Sequence, residues 1–183
     1  MKVNLAEQII DEDDIAQLID WLKTTKRYTK GPETVKFEQE WSDWLGTKYS
    51  VLVNSGSSAN LLMFLALLYS NKLKNKKVIV PAVSWVTTVS PAIQLGFESF
   101  ICDCDKDDLG FDLEHFEELC KEHKPAAAIV VHVLGHAGKL EEIKKICDKY
   151  DVFLLEDGCE APGSVYNGKK VGNLGLASSF SFF

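Results

Sequence analysis

The sequence contains no apolar run approaching the roughly 20 residues needed to cross a bilayer, and its first residues, Met1-Lys2-Val3-Asn4, lack the apolar stretch of a signal peptide. A cytoplasmic protein with no membrane partner is the expectation. Positive charge is scarce: 20 Lys and Arg stand against 27 Asp and Glu, giving a net charge of −7 and a pI near 5.1. Nucleic acid is bound through clustered Lys and Arg, so it is not an expected partner. The lysine-rich run Lys72 to Lys77 is short and reads as a solvated helix end. The five cysteines (Cys102, Cys104, Cys120, Cys147 and Cys159) include no C-x-x-C pair and are odd in number, which points to reduced thiols rather than a disulfide framework. No cluster of His, Cys and carboxylates has metal-ligand spacing. G-x-G-x-x-G and G-K-[ST] are both missing, so neither a dinucleotide fingerprint nor a Walker loop is supported. Sequence repeats and low-complexity linkers are missing too.

What remains is an ordinary globular composition of 183 residues, 46% hydrophobic and 26% charged, enough for one domain with a real core. From Leu5 to Lys26, Ile9, Ile10, Ile15, Leu18, Ile19 and Leu22 recur at helical spacing among acids, an amphipathic helix with a break near Asp11. A second helix is predicted over Pro32 to Trp44, with proline in its first turn and Gly46 as its stop. Beyond it the segments alternate. Strands are predicted over Tyr49–Val53, Val78–Pro81, Ser99–Cys102, Ala128–His132, Val152–Leu155 and Ser178–Phe183. The intervening helices are Ser57–Tyr69, apolar nearly all round and so read as buried, then Val86–Leu95, Asp112–His123 and Leu140–Tyr150.

This alternation predicts an α/β fold in three layers, α/β/α, with a mostly parallel, mixed sheet. The last residues, Ser181-Phe182-Phe183, lie inside an apolar strand-like run, which makes a poor domain boundary because the apolar edge would be exposed. The expectation is therefore that residues 1–183 are the N-terminal part of a longer protein: helices over 1–46, the alternating part over 47–183, and a C-terminal small domain outside the sequence.

Three loops carry residues suited to chemistry. Asn54-Ser55-Gly56-Ser57-Ser58-Ala59-Asn60 joins a strand to a helix, where small residues, free amides and the helix dipole favour a phosphate; a plain turn with a serine cap fits equally well. In the loop after Pro81, Trp85 either caps the core or lays its face over a planar ring. Val152-Phe153-Leu154-Leu155 runs into Glu156-Asp157-Gly158, carboxylates set at a strand end, the place where ligands sit on a parallel sheet. A ligand with a phosphate, a flat ring and a protonatable nitrogen satisfies all three loops, and pyridoxal phosphate is such a ligand. A carboxylate against its pyridine nitrogen keeps the ring protonated, and Asp157 is placed for that role.

The segments Val53 to Leu62, the Trp85 loop, Glu156 to Ser164 and Ser179 to Phe183 together resemble the DegT/StrS-type family of pyridoxal-phosphate sugar enzymes, whose fold is that of the large domain of fold-type-I enzymes. Gly31-Pro32 and the stretch Gly168-Lys169 to Gly172 match the family layout too. The resemblance implies pyridoxal 5'-phosphate or pyridoxamine 5'-phosphate as cofactor. The Gly56 and Ser57 backbone and the Ser181 hydroxyl would hold its phosphate, Trp85 would stack on the ring, Asp157 would pair with the ring nitrogen, and Glu160 would lie near the ring hydroxyl. The family's aminotransferases usually carry glutamine where Glu160 stands. With Asn60 and Trp85, that acid resembles the branch that removes the C3 hydroxyl of nucleotide-linked 4-keto-6-deoxyhexoses. The alternatives are a sugar aminotransferase with glutamate or glutamine as amino donor, and a cofactor-binding module without catalysis. A homodimer is implied for the full-length enzyme.

Other candidates read as structural. His132 closes a strand and reads as a hydrogen-bonded core histidine, with a site-facing role as its alternative. His136 reads as a loop residue, and His115 and His123 as solvated. Cys159 has no nearby base or cation in sequence and reads as a packing thiol.

Overall fold

A computed structural model describes residues 9–182. The chain runs α1 (Glu12–Thr24), α2 (Pro32–Leu45), α3 (Gly56–Tyr69), β1 (Lys77–Pro81), α4 (Val86–Gln94), β2 (Glu98–Cys102), α5 (Leu113–His123), β3 (Ala127–Val131), a 3-10 turn (Val133–Gly135), α6 (Leu140–Tyr150), β4 (Phe153–Asp157), a small hairpin of β5 (Val165–Tyr166) and β6 (Lys169–Lys170), and β7 (Ala177–Ser179). The main sheet has the order β2-β1-β3-β4-β7, and every ladder in it is parallel. Antiparallel pairing among the described residues is confined to the β5–β6 hairpin and the isolated Cys104–Phe111 bridge.

Strand alternation sorts the core onto two faces. Val78, Val80, Ala127, Ile129 and Leu155 pack with Met63, Phe64 and Leu67 of α3 and Ala92 of α4. Their strand neighbours Ile79, Ala128, Val130 and Leu154 point the other way, onto Phe116 and Cys120 of α5 and Leu140, Ile143 and Cys147 of α6. Three layers result. Phe64, Phe116, Ile129 and Leu155 are fully buried, each a side chain whose burial contributes about 1.5–3 kcal/mol.

Several boundaries differ from expectation for identifiable reasons. The break near Asp11 is a helix start: Asp11 caps α1, its carboxylate accepts from the Asp13 and Asp14 amides, and Asp14 returns the bond in a capping box. The expected helix residues 5–8 lie outside the described residues. The segment Tyr49–Val53 is not a strand. It forms no regular element and finds no strand partner among the described residues, and Tyr49 and Val51 are exposed. It borders a groove of about 670 Å3 with Phe37 and Trp41 in its lining, and the edge strand β7 forms another wall. Helix α3 is not buried all round, since Leu62 and Tyr69 face outward. Glu156 and Asp157 lie inside β4 rather than beyond it. The last strand is shorter than predicted, because β7 pairs only with Leu155–Asp157; Phe183 lies outside the described residues.

Of the remaining histidines, His115 accepts from the Asp103 amide through Nδ1 and His123 stacks on Phe100, so neither is simply solvated; His136 does follow the 3-10 turn in a loop. The Lys72–Lys77 run spans the α3–β1 connection and enters β1 at Lys77, with Lys74 holding the carbonyls of Tyr150 and Asp151 at the end of α6.

Candidate active site

Parallel strands deliver their C-terminal ends to one edge of the sheet, and the helices that follow them start there. β4 ends at that edge with two acids on opposite faces. Asp157 points to the α3–α4 side and Glu156 to the α5–α6 side, as a period of two demands.

Asp157 is 2% exposed, yet surrounded by polar groups. Its Oδ2 accepts from Asn60 Nδ2 at 2.8 Å and from Thr88 Oγ1 at 2.8 Å. Its Oδ1 accepts from the Cys159 amide at 3.1 Å, with Ser179 Oγ 3.4 Å away. The Ser179 hydroxyl has one proton, and its 2.6 Å contact with Asn60 Oδ1 shows where that proton goes. A buried carboxylate is costly unless hydrogen-bonded, and here α3, α4 and the β4 exit each supply a donor, while Ser179 of β7 orients the Asn60 amide.

The residues expected to hold a phosphate come together beside it. Gly56 opens α3, whose serine cap, Ser55, accepts from the Ser58 amide and leaves the Gly56 and Ser57 amides at the start of the helix. A Cβ on Gly56 would lie 2.8 Å from Cys159 Sγ and 2.9 Å from Ser181 Cβ, so glycine is required there by close approach. Ser57 Oγ donates to Thr87 Oγ1 at 3.1 Å, tying the start of α3 to the start of α4. Trp85 precedes α4 and is 70% exposed. The core-capping alternative is thereby excluded.

Glu160 is directed elsewhere in the described structure. Its carboxylate accepts from the Leu134 amide at 2.7 Å, in the loop leaving β3, where Leu134 holds a φ of 53°. It is exposed and makes no bond to the Asp157 network.

Two reserved readings are settled by packing. His132 is a buried core histidine, with Nε2 3.0 Å from Glu156 Oε2. Cys159 is a packing thiol: burial, then the charge of Asp157, pushes its pKa up to about 12, far from a thiolate at neutral pH. Among the described residues no His, Cys and carboxylate group could hold a metal ion, and no helix is long and apolar enough to cross a membrane.

Sequence reasoning gave Thr88 and Ser179 no part in the site and Asn60 none beyond its residue type. Thr88 had a usable signal, since it stands three and four residues before Pro91 and Ala92 and so shares the helix face that these apolar residues turn to the sheet. Ser179 had none, because its partner Asn60 is 119 residues away.

A three-layer parallel α/β domain with a small-residue helix N-terminus, an exposed tryptophan and a buried aspartate at one sheet edge is the aminotransferase-type architecture. Comparison with known proteins makes the assignment specific. The chain belongs to the DegT/DnrJ/EryC1/StrS aminotransferase family, whose sequence model matches residues 8–183. It is 40% identical over 182 residues to the GDP-4-keto-6-deoxy-D-mannose 3-dehydratase of Yersinia pseudotuberculosis, covering 98% of this chain and 46% of that one. It is 29% identical to the GDP-perosamine synthase of Vibrio cholerae, over 97% of this chain and 47% of the relative. The solved structure of the E. coli GDP-4-keto-6-deoxy-D-mannose 3-dehydratase with bound hydrated PLP superposes with a TM-score of 0.90 at 37% identity, over 98% of this chain and 46% of that chain. The chain thus spans about half the length of the relatives it matches.

Proposed function

We propose that the full-length protein is a pyridoxal or pyridoxamine phosphate enzyme that acts on a nucleotide-linked 4-keto-6-deoxyhexose and removes its C3 hydroxyl. The observation that carries this reading is the buried Asp157 carboxylate at the end of β4, beside the close approach of Gly56 to Ser181. The residues present fit the cofactor. The Gly56 and Ser57 amides at the α3 N-terminus, which the close approach of Gly56 sets beside Ser181, suit a phosphate group, and Asp157 presents a fixed negative charge that suits a protonated ring nitrogen.

In this reading the Gly56 and Ser57 amides and the Ser181 hydroxyl bind the phosphate, Trp85 covers one ring face and excludes water, and Asp157 holds the proton at the ring nitrogen. Asn60 and Thr88 keep the Asp157 carboxylate in place. Glu160 serves the ring hydroxyl once it leaves the Leu134 amide. When bound, the cofactor supplies an electron sink for breaking the C3–O bond. The residue that moves the substrate-side proton belongs to the part of the relatives beyond residue 183.

Glutamate or glutamine is the proposed amino donor. A homodimer is the proposed assembly, supported by the outward apolar face of α1 with Ile15, Leu18, Ile19 and Leu22, and the cytoplasm the proposed location, supported by five free thiols. A second reading, a sugar aminotransferase, is favoured by the similarity to the perosamine synthase.

The test is to load the full-length protein with pyridoxamine phosphate, add GDP-4-keto-6-deoxy-D-mannose and identify the product. A C3-deoxygenated sugar is expected. A 4-amino sugar transfers the assignment to the second reading, and bound cofactor without product supports a non-catalytic module.

A further inference from the structure

We propose that Glu156, fully buried and turned away from the site, is the positioning residue that sets β7 and thereby aims Ser179 and Ser181 at the cofactor side of the sheet. This rests on the cofactor reading above.

The Glu156 carboxylate binds four donors. Oε1 accepts from the amides of Leu174 at 2.9 Å and Gly175 at 2.5 Å, and Oε2 accepts from the Gly172 amide at 2.7 Å and faces His132 Nε2 at 3.0 Å. Three of these belong to the loop that turns the chain into β7. The same loop is held from its other side by Ser178 Oγ, which donates to the Gly172 carbonyl at 2.8 Å. Glycine is needed at two of the anchoring positions. A Cβ on Gly175 would lie 2.7 Å from the Leu154 carbonyl, and one on Gly172 would collide with the Phe180 ring, at a φ of 87° that favours glycine in any case.

The anchor fixes register. Glu156 pairs with Ser178 and Asp157 with Ser179 across β4 and β7, so the loop amides that reach Glu156 determine which β7 residue stands opposite Asp157. β7 is a three-residue edge strand, and a slip of one residue would turn Ser179 to the opposite face. Ser179 would lose Asn60, and Ser181, two residues further on, would leave Gly56. The carboxylate is required because all four groups around it are donors; an amide would set its own N–H groups against some of them.

The test compares the full-length wild type with Glu156→Gln. Two readouts are used: pyridoxal phosphate affinity and bound-cofactor absorbance in the holoenzyme, and amide exchange over residues 178–182 in the cofactor-free chain. Expected are an affinity loss of at least tenfold, a shifted absorbance band and faster exchange confined to that segment. A loss of stability alone would leave the spectrum of the bound cofactor unmoved. Affinity within twofold, an unchanged spectrum and unchanged exchange overturn the proposal while leaving the cofactor reading intact. A wild type that takes up no cofactor overturns both. If Glu156→Gln does not fold, Ser178→Ala loosens the same loop more gently; the same shifts support the proposal, and wild-type values overturn it.

Discussion

Asn60 and Asp157 are 97 residues apart in sequence and joined by a 2.8 Å hydrogen bond inside the protein. The pairing has a fixed sense. Asn60 gives Nδ2 to the carboxylate because its Oδ1 accepts from Ser179, so one amide links α3, β4 and β7. Asn60→Ala removes one donor from a buried carboxylate and strands the Ser179 hydroxyl. Unmade bonds of this kind cost about 1–3 kcal/mol each, and 1 kcal/mol shifts Tm by roughly 2–4 °C for a domain of this size. A fall of at least about 3 °C is expected by calorimetry at pH 7. No change would mean that the network does not bear on the fold.

Most of the elements were legible because their periods are. The helices from α2 to α6 begin and end within one or two residues of the positions their apolar spacing and caps indicate, and His132 is the core histidine and Cys159 the packing thiol that the sequence suggests. The segment Tyr49–Val53 was misread because β-propensity describes a residue's fit to a pleated surface, while a strand also needs a neighbour with free backbone groups. Glu156 had no readable role, since its function is to accept three amides from a loop 16 to 19 residues downstream. Glu160 was expected near the ring hydroxyl from the family resemblance, and its bond from the Leu134 amide, 26 residues away, had no signal in the sequence.

Gly56→Ala tests the cradle. The added methyl meets Cys159 Sγ at 2.8 Å and Ser181 Cβ at 2.9 Å, and overpacking of this kind costs about 1–3 kcal/mol. The expected result is a lower Tm together with at least a tenfold weaker pyridoxal phosphate complex, measured by cofactor absorbance. Gly56→Ala/Cys159→Ala, which clears one of the two contacts, should recover part of the loss. A single variant that binds as the wild type does would remove Gly56 from the phosphate site.

Trp85→Ala separates binding from stability. The side chain is 70% exposed, and substitutions at such positions usually change stability by less than about 0.5 kcal/mol. Tm should therefore stay within about 2 °C, using the same conversion. Cofactor affinity should fall, and the tryptophan fluorescence quenched by pyridoxal phosphate in the wild type should lose its Trp85 component. An unchanged affinity would leave Trp85 outside the ring site.

Cys159 should resist alkylation in the native state. Burial and the charge of Asp157 push its pKa to about 12, and burial does the same for Cys102 and Cys120. The attacking species is the thiolate, which is then rare at pH 8. Mass spectrometry after brief iodoacetamide treatment should find Cys159 unmodified in the folded protein and all five cysteines modified in denaturant. Native labelling of Cys159 at the unfolded rate would contradict the packing described for it.

The acid limb of the stability curve should report Glu156. Burial raises its pKa, but the hydrogen bond from His132 and those from the Gly175 and Gly172 amides outweigh burial and hold it below the ordinary 4.5. A carboxyl whose pKa is lower in the folded chain stabilises it fully above the unfolded value, and that contribution is lost as pH falls through the folded value. The stability difference between wild type and Glu156→Gln should accordingly be constant from pH 7 to about pH 5 and shrink below pH 4.5, the ordinary value for this carboxyl. Urea unfolding at pH 7, 5, 4 and 3 measures that difference directly. Glu38, Asp105 and Glu117 are also held low by lysine partners, but both proteins keep them, so they cancel. A gap that stays constant down to pH 3 would show that the carboxylate charge of Glu156 does not stabilise the loop leading into β7.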